Sequence, residues 1–171
     1  MEPRFEKTDS FSLVGCPQYA NPGKLCPGLV WGRLSAIKKK FNLSIYPEVE
    51  YAVEVYPPDF PQNDFAFYYM AGIPSRFVTE EMRSVLFIKE IPQAEYAVFP
   101  VPDNDTDKVK DAFQYAYREW LPNSDYEATL GYDLERYRHH PEKNYEVMIP
   151  VIKKVSNKSL HPTKKLALIG G

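Results

Sequence analysis

Asp133, Glu135 and Tyr137 alternate along the stretch from Gly131 to Arg138, which is rich in strand-forming residues. In a strand every second side chain takes the same face, so these three stand together. Tyr132, Leu134, Arg136 and Arg138 take the other face. A carboxylate with an aromatic ring beside it on its own face suits a pocket for a flat or cationic organic molecule. Walling that carboxylate with rings raises its pKa, because desolvation disfavours the charged form. Such a group either attracts a lipophilic cation or acts as a general acid near neutral pH. The functional reading is therefore built on Glu135, with Tyr137 lining the pocket or packing beneath it. Asp133 is expected at the rim. The plainer alternative for Glu135 is a salt bridge to Arg136, Arg138 or a lysine on a neighbouring strand.

The chain is rich in rings, with 13 Tyr, 10 Phe and 2 Trp in 171 residues, and tyrosine combines an apolar body with a polar tip. Trp31 is either a wall over the site or a core residue between helix and sheet. Trp120 reads mainly as structural, though within reach of the ligand. Tyr117 lies three residues earlier on nearly the same helical face and is expected to reach the site. Tyr96 reads as core, and His139 and His140, before Pro141, as an exposed turn.

Formal net charge is −2, so nothing argues for nucleic acid or an anionic membrane as a direct partner. Cys16 and Cys26 share one Gly/Pro-rich segment, and the histidines are a neighbouring pair plus His161, so no metal and no cofactor is expected. There is no apolar run long enough to span a bilayer and no signal-peptide core, which implies a cytoplasmic protein. No phosphate-cradling glycine loop, glycine-flanked serine or cysteine–histidine pairing supports acyl or phosphoryl transfer.

The elements that must position these residues follow from periodicity. Residues 1–10 read as loose, Phe11–Gly15 as a short strand, and Cys16–Pro27 as a loop broken by prolines. Leu29, Val30, Leu34, Ile37 and Phe41 recur at helical spacing, predicting a helix over Gly28–Phe41 with three lysines at its C-terminal end. Strands are predicted over Tyr51–Tyr56, Phe65–Gly72, Val85–Ile91 and Tyr96–Val101. A second helix runs from Thr106 to Trp120, stopped by Pro122, and strands follow over Gly131–Arg138 and Tyr145–Val151. Residues 156–171, basic and then apolar, form either an edge strand or a loose extension. The order strand–helix–strand–strand thus occurs twice, in modules of about 11–75 and 93–153 joined by a linking strand, with a tail from 154. This predicts one α+β domain over 1–171: an antiparallel sheet, two helices on one face and a central groove.

The segments Ile91-Pro-Gln-Ala-Glu-Tyr-Ala-Val-Phe, Tyr117-Arg-Glu-Trp-Leu-Pro, Leu134-Glu-Arg-Tyr and Tyr145-Glu-Val-Met-Ile-Pro-Val resemble the gyrase-inhibitory-protein-like (GyrI-like) small-molecule-binding family. That family includes effector-binding domains of multidrug-responsive transcription regulators. Leu13-Val-Gly, Trp31 and Tyr69-Met-Ala-Gly extend the likeness to roughly Phe11–Lys153. The resemblance implies a duplicated strand–helix–strand–strand fold, a groove glutamate at Glu135 and a hydroxyl donor at Tyr69, Tyr68 pointing to the opposite face. No DNA-binding segment precedes the first strand, so a stand-alone member is expected. Three functions follow: a module that binds hydrophobic or cationic small molecules through Glu135, Tyr137, Tyr69, Trp31, Tyr117 and Trp120; a hydrolase of strained cyclopropane-bearing compounds using Glu135 as acid/base and Tyr69 as donor; and an inhibitor of a protein partner.

Overall fold

Alternating β-branched and aromatic residues supply most of the secondary structure. The computed structural model describes residues 2–43, 47–129 and 131–155. Its strands are β1 (Arg4–Thr8), β2 (Phe11–Ala20), β3 (Val49–Val55), β4 (Phe67–Pro74), β5 (Phe87–Ile91), β6 (Ala94–Pro100), β7 (Tyr126–Ala128), β8 (Tyr132–Arg138) and β9 (Asn144–Lys153). The helices are α1 (Pro27–Lys40), α2 (Glu80–Arg83), α3 (Val109–Tyr115) and α4 (Leu121–Asn123), with a π turn over Ala116–Trp120 between the last two.

All pairings are antiparallel, in the order β1-β6-β9-β8-β3-β4-β2-β5, with β7 added beside β9. The order is symmetric about the β3–β8 pair: each half contributes a strand that precedes a helix and two that follow it, as the α+β duplication predicts. One register runs through both outer pairings, Arg4 opposite Val98 and Thr8 opposite Ala94, then Phe11 opposite Ile91 and Gly15 opposite Phe87. The chain entering β2 therefore continues the ladder begun by β1, which curls the sheet into a half-barrel.

The curl has two apolar faces. Leu13, Val53, Met70, Tyr96, Val98, Leu134 and Met148 meet across one of them in a buried cluster. On the other, Val14, Ala52, Ala71, Phe99, Val147 and Ile149 pack under Val30 and Leu34 of α1 and Ala112 of α3. Each fully buried aliphatic side chain contributes about 1.5–3 kcal/mol. Pro27 opens α1, and Lys38, Lys39 and Lys40 occupy its last turn, where cations complement the helix dipole.

Several sequence expectations are corrected. Residues 4–8 are not loose but form β1, held by main-chain pairing to β6 and by Arg4 and Glu6, which reach Glu146 and Arg136. β2 does not end at Gly15. It passes through Cys16 and Pro17 to Ala20, because β4 pairs with it from Leu13 to Ala20 while β5 stops opposite Gly15, leaving Pro17 on an edge. At Gly15 the strands approach so closely that a Cβ would lie 2.0 Å from the carbonyl oxygen of Ala71. Pro122 does not stop the second helix, since it sits in the first positions of α4, where no N–H is needed. The strand β7 had no sequence counterpart. The tail from Ser156 lies outside the described residues.

Candidate functional site

The floor of the site follows from strand register. Glu135 of β8 lies opposite Ala52 of β3, and Ala52 in turn opposite Ala71 of β4. Two alanines in the row beside a glutamate leave a hollow, and larger side chains bound it: Tyr69 on β4 and Tyr137 on β8, one alternate position away. Trp31 reaches over this hollow from α1. Its ring meets that of Tyr137 edge-on, with centroids 5.3 Å apart, and Tyr145 packs on the far side of Tyr137 at 4.9 Å.

Glu135 is only 5% exposed. Its Oε2 accepts from the Tyr69 hydroxyl at 3.2 Å and from the Tyr137 hydroxyl in a short bond. The Tyr69 oxygen accepts from Trp31 Nε1 at 3.0 Å. Burial pushes the Glu135 carboxyl up to about 7, against the two tyrosine hydrogen bonds, which favour the charged form. No cation among the described residues contributes to that balance. Burial, then the neighbouring carboxylate, keeps the Tyr69 and Tyr137 hydroxyls well above the ordinary tyrosine range, so both act as donors.

A second polar cluster lies one alternate position along the same strands. Asp133 accepts from Tyr117 at 2.8 and 2.9 Å and from Tyr56 at 3.0 Å, and Tyr56 also bonds Glu54. Asp133 is wholly buried. Above Asp133, the residues Glu54, Tyr56, Tyr69, Tyr117, Glu135 and Tyr137 line a cavity of about 1020 Å³ between α1, α3 and the sheet. Its walls are rich in rings, including Trp31, Tyr56, Phe67, Phe113, Tyr117 and Tyr145. Glu50, Glu54, Asp64, Asp107 and Glu135 also line it, against Lys110 and His139, so its charged lining is mainly acidic.

Residues 4–151 match the model of the integron-associated effector binding protein family, Cass2. The chain belongs to this family. The Cass2-type fold is shared by solved structures of low sequence identity. The protein SAV2435, solved bound to tetraphenylphosphonium, superposes with a TM-score of 0.68 at 13% identity, covering 89% of this chain and 94% of that one. The Cass2 integron cassette protein from the mobile metagenome of Vibrio cholerae gives 0.65 at 14% identity, covering 89% and 97%. A bacterial protein of Staphylococcus aureus MU50 gives 0.62 at 16% identity, covering 88% and 98%. No curated protein is significantly similar in sequence.

In this Cass2 family member the sequence-predicted residues Glu135, Tyr137, Tyr69, Trp31 and Tyr117 come together on one cavity. Three expectations are corrected. Trp120 is structural, as mainly expected, but not within reach of a ligand in the cavity: it packs on Phe99 at 5.4 Å and Tyr126 at 5.9 Å, because the π turn rotates it off the Tyr117 face. Asp133 is not at the rim but beneath the floor, under two tyrosine hydroxyls. His139 is more than an exposed turn residue: it stands at the cavity mouth, 3.2 Å from Glu50, which also pairs with Lys38. Tyr96 is core and bonds Tyr132, and Tyr68 packs on Tyr19 on the opposite face, as expected. Sequence reasoning passed over Glu50, Glu54, Tyr56 and Tyr145. The signal for the two glutamates was present, since Glu50, Ala52 and Glu54 alternate along β3 as Asp133, Glu135 and Tyr137 do along β8.

Proposed function

We propose that the cavity takes up hydrophobic organic cations, with Glu135 as counter-charge and the surrounding rings as walls. The observation that carries this reading is a carboxylate that is 5% exposed, ringed by aromatic groups and without a cationic partner among the described residues. Burial holds it near half-ionisation at neutral pH, and an entering cation restores the charge that desolvation opposes. Ring faces add cation–π attraction. SAV2435, which shares the fold, was solved with a lipophilic cation, and this supports the same ligand class here. Sequestration, sensing and resistance are the roles such a module serves. The test is calorimetry with tetraphenylphosphonium. Glu135→Gln weakens binding at least about tenfold, or roughly 1.4 kcal/mol. Unchanged affinity would remove Glu135 from the site.

A second reading is favoured by one feature, a carboxyl poised at about 7 with the Tyr69 hydroxyl 3.2 Å from it. That pair fits general-acid opening of a strained electrophile, with Glu135 protonating the ring or directing water. Incubation with a cyclopropane-bearing alkylator, followed by mass spectrometry, separates the two. Turnover that disappears in Glu135→Gln supports hydrolysis, and stoichiometric binding without product supports the binding module.

A further inference from the structure

Both tyrosines that hold Glu135 donate to the same oxygen. The Tyr69 and Tyr137 hydroxyls converge on Oε2, while Oε1 has no hydrogen-bond partner among the described residues. Oε1 is not one of the enclosed, unsatisfied polar atoms of the structure, so it keeps contact with cavity space. Neither tyrosine is available to cover it. The Tyr69 oxygen is engaged by the Trp31 indole N–H, which leaves the one hydroxyl proton for Oε2, and the single proton of Tyr137 is committed to the same atom. An acceptor in a ring-walled site with no donor loses the hydrogen bonds it had in water.

We propose that the preferred ligands of this cavity are protonated amines, cations that carry at least one N–H, over quaternary ammonium or phosphonium ions of the same shape. This rests on the cation-binding reading above. A charge-assisted N–H···O bond to a carboxylate is short and roughly twice as strong as a neutral one. It fills the position that the tyrosines leave open on Oε1. A quaternary centre shields its charge under carbon groups, so it pairs with Glu135 at longer range and leaves Oε1 without a donor. The rings hold the apolar parts of both kinds of ligand alike, so the N–H decides between them.

The experiment compares a matched pair by calorimetry at about pH 8, above the Glu135 transition and with the amine still largely protonated. The probes are imipramine, a tricyclic tertiary amine, and its N-methyl quaternary salt. The wild-type protein binds the amine at least about tenfold more tightly, and in Glu135→Gln the ratio falls to about twofold or less. Equal or tighter binding of the quaternary salt by the wild type overturns the inference. If Glu135→Gln then weakens both probes alike, the cation-binding reading survives without the N–H preference. If Glu135→Gln changes neither, both fall. The wild-type comparison needs no variant to fold.

Discussion

Trp31 Nε1 donates to the hydroxyl oxygen of Tyr69 at 3.0 Å, so a polar contact fastens α1 to the floor of the cavity, in addition to the ion pair of Lys38 with Glu50. The bond orients the Tyr69 proton toward Glu135 and connects the helix that covers the site to the charge within it. Trp31→Phe keeps a ring in the wall and removes the donor. The expected loss is about 1 kcal/mol of stability, the net value of one hydrogen bond. The same change weakens the donor set around the carboxylate, so the pH midpoint for cation binding moves upward. Urea unfolding reads the first effect and calorimetry across pH the second.

The pH dependence of stability has a defined sign. Glu135 titrates near 4.5 when unfolded and at about 7 when folded, because burial raises it. Between those values the folded state binds more protons, so this group makes stability fall as pH rises from 4.5 to 7, with no further change above. The size is on the order of 3 kcal/mol. Glu135→Gln removes that slope, and the difference between the two unfolding curves against pH isolates it. Cation binding runs the other way and strengthens as Glu135 ionises.

Much of this arrangement was legible in the sequence, and the parts that were not share a cause. The alternation Asp133–Glu135–Tyr137 fixes a face without any tertiary information, and so does the helical spacing from Leu29 to Phe41. Which residues come to stand beside that face depends on register. Glu54 joins the Asp133 cluster only because β3 pairs with β8 as it does. β1 is polar in sequence and becomes a strand because its charges find partners on β8 and β9, far along the chain. Trp120 was displaced by a π turn, which shifts helical phase without leaving a mark in hydrophobic spacing.

On the face of β8 opposite Glu135, Arg136 spans two acids. It meets Glu6 at 2.7 and 2.8 Å and Glu146 at 2.6 and 2.8 Å, with Glu146 2% exposed. The Arg136 hydrogen bonds hold Glu6 below the usual carboxylate range. Glu146 stays low as well, since Arg4 and Arg136 outweigh the effect of its burial. Both acids therefore stabilise the fold above 4.5, and that contribution is lost as pH falls through their folded values. Arg136→Ala leaves a buried carboxylate short of a partner and costs about 3 kcal/mol by urea unfolding. The paired change Arg136→Met with Glu146→Leu recovers part of that loss. Equal losses in the single and double variants would show that the ion pair itself stabilises.

The two tryptophans of the chain provide an internal control on where a ligand sits. Trp31 lines the cavity and contacts both tyrosines that hold Glu135, whereas Trp120 is packed among Phe5, Phe99 and Tyr126 on another side of the second helix. A cation entering the cavity displaces water from the Trp31 ring and lies against it, so indole emission changes on binding. In Trp120→Phe the titration amplitude persists. In Trp31→Phe it disappears, while calorimetry still detects binding, because a phenyl ring remains in the wall. A ligand response carried by Trp120 would place the bound molecule outside the cavity and separate Glu135 from the function assigned to it.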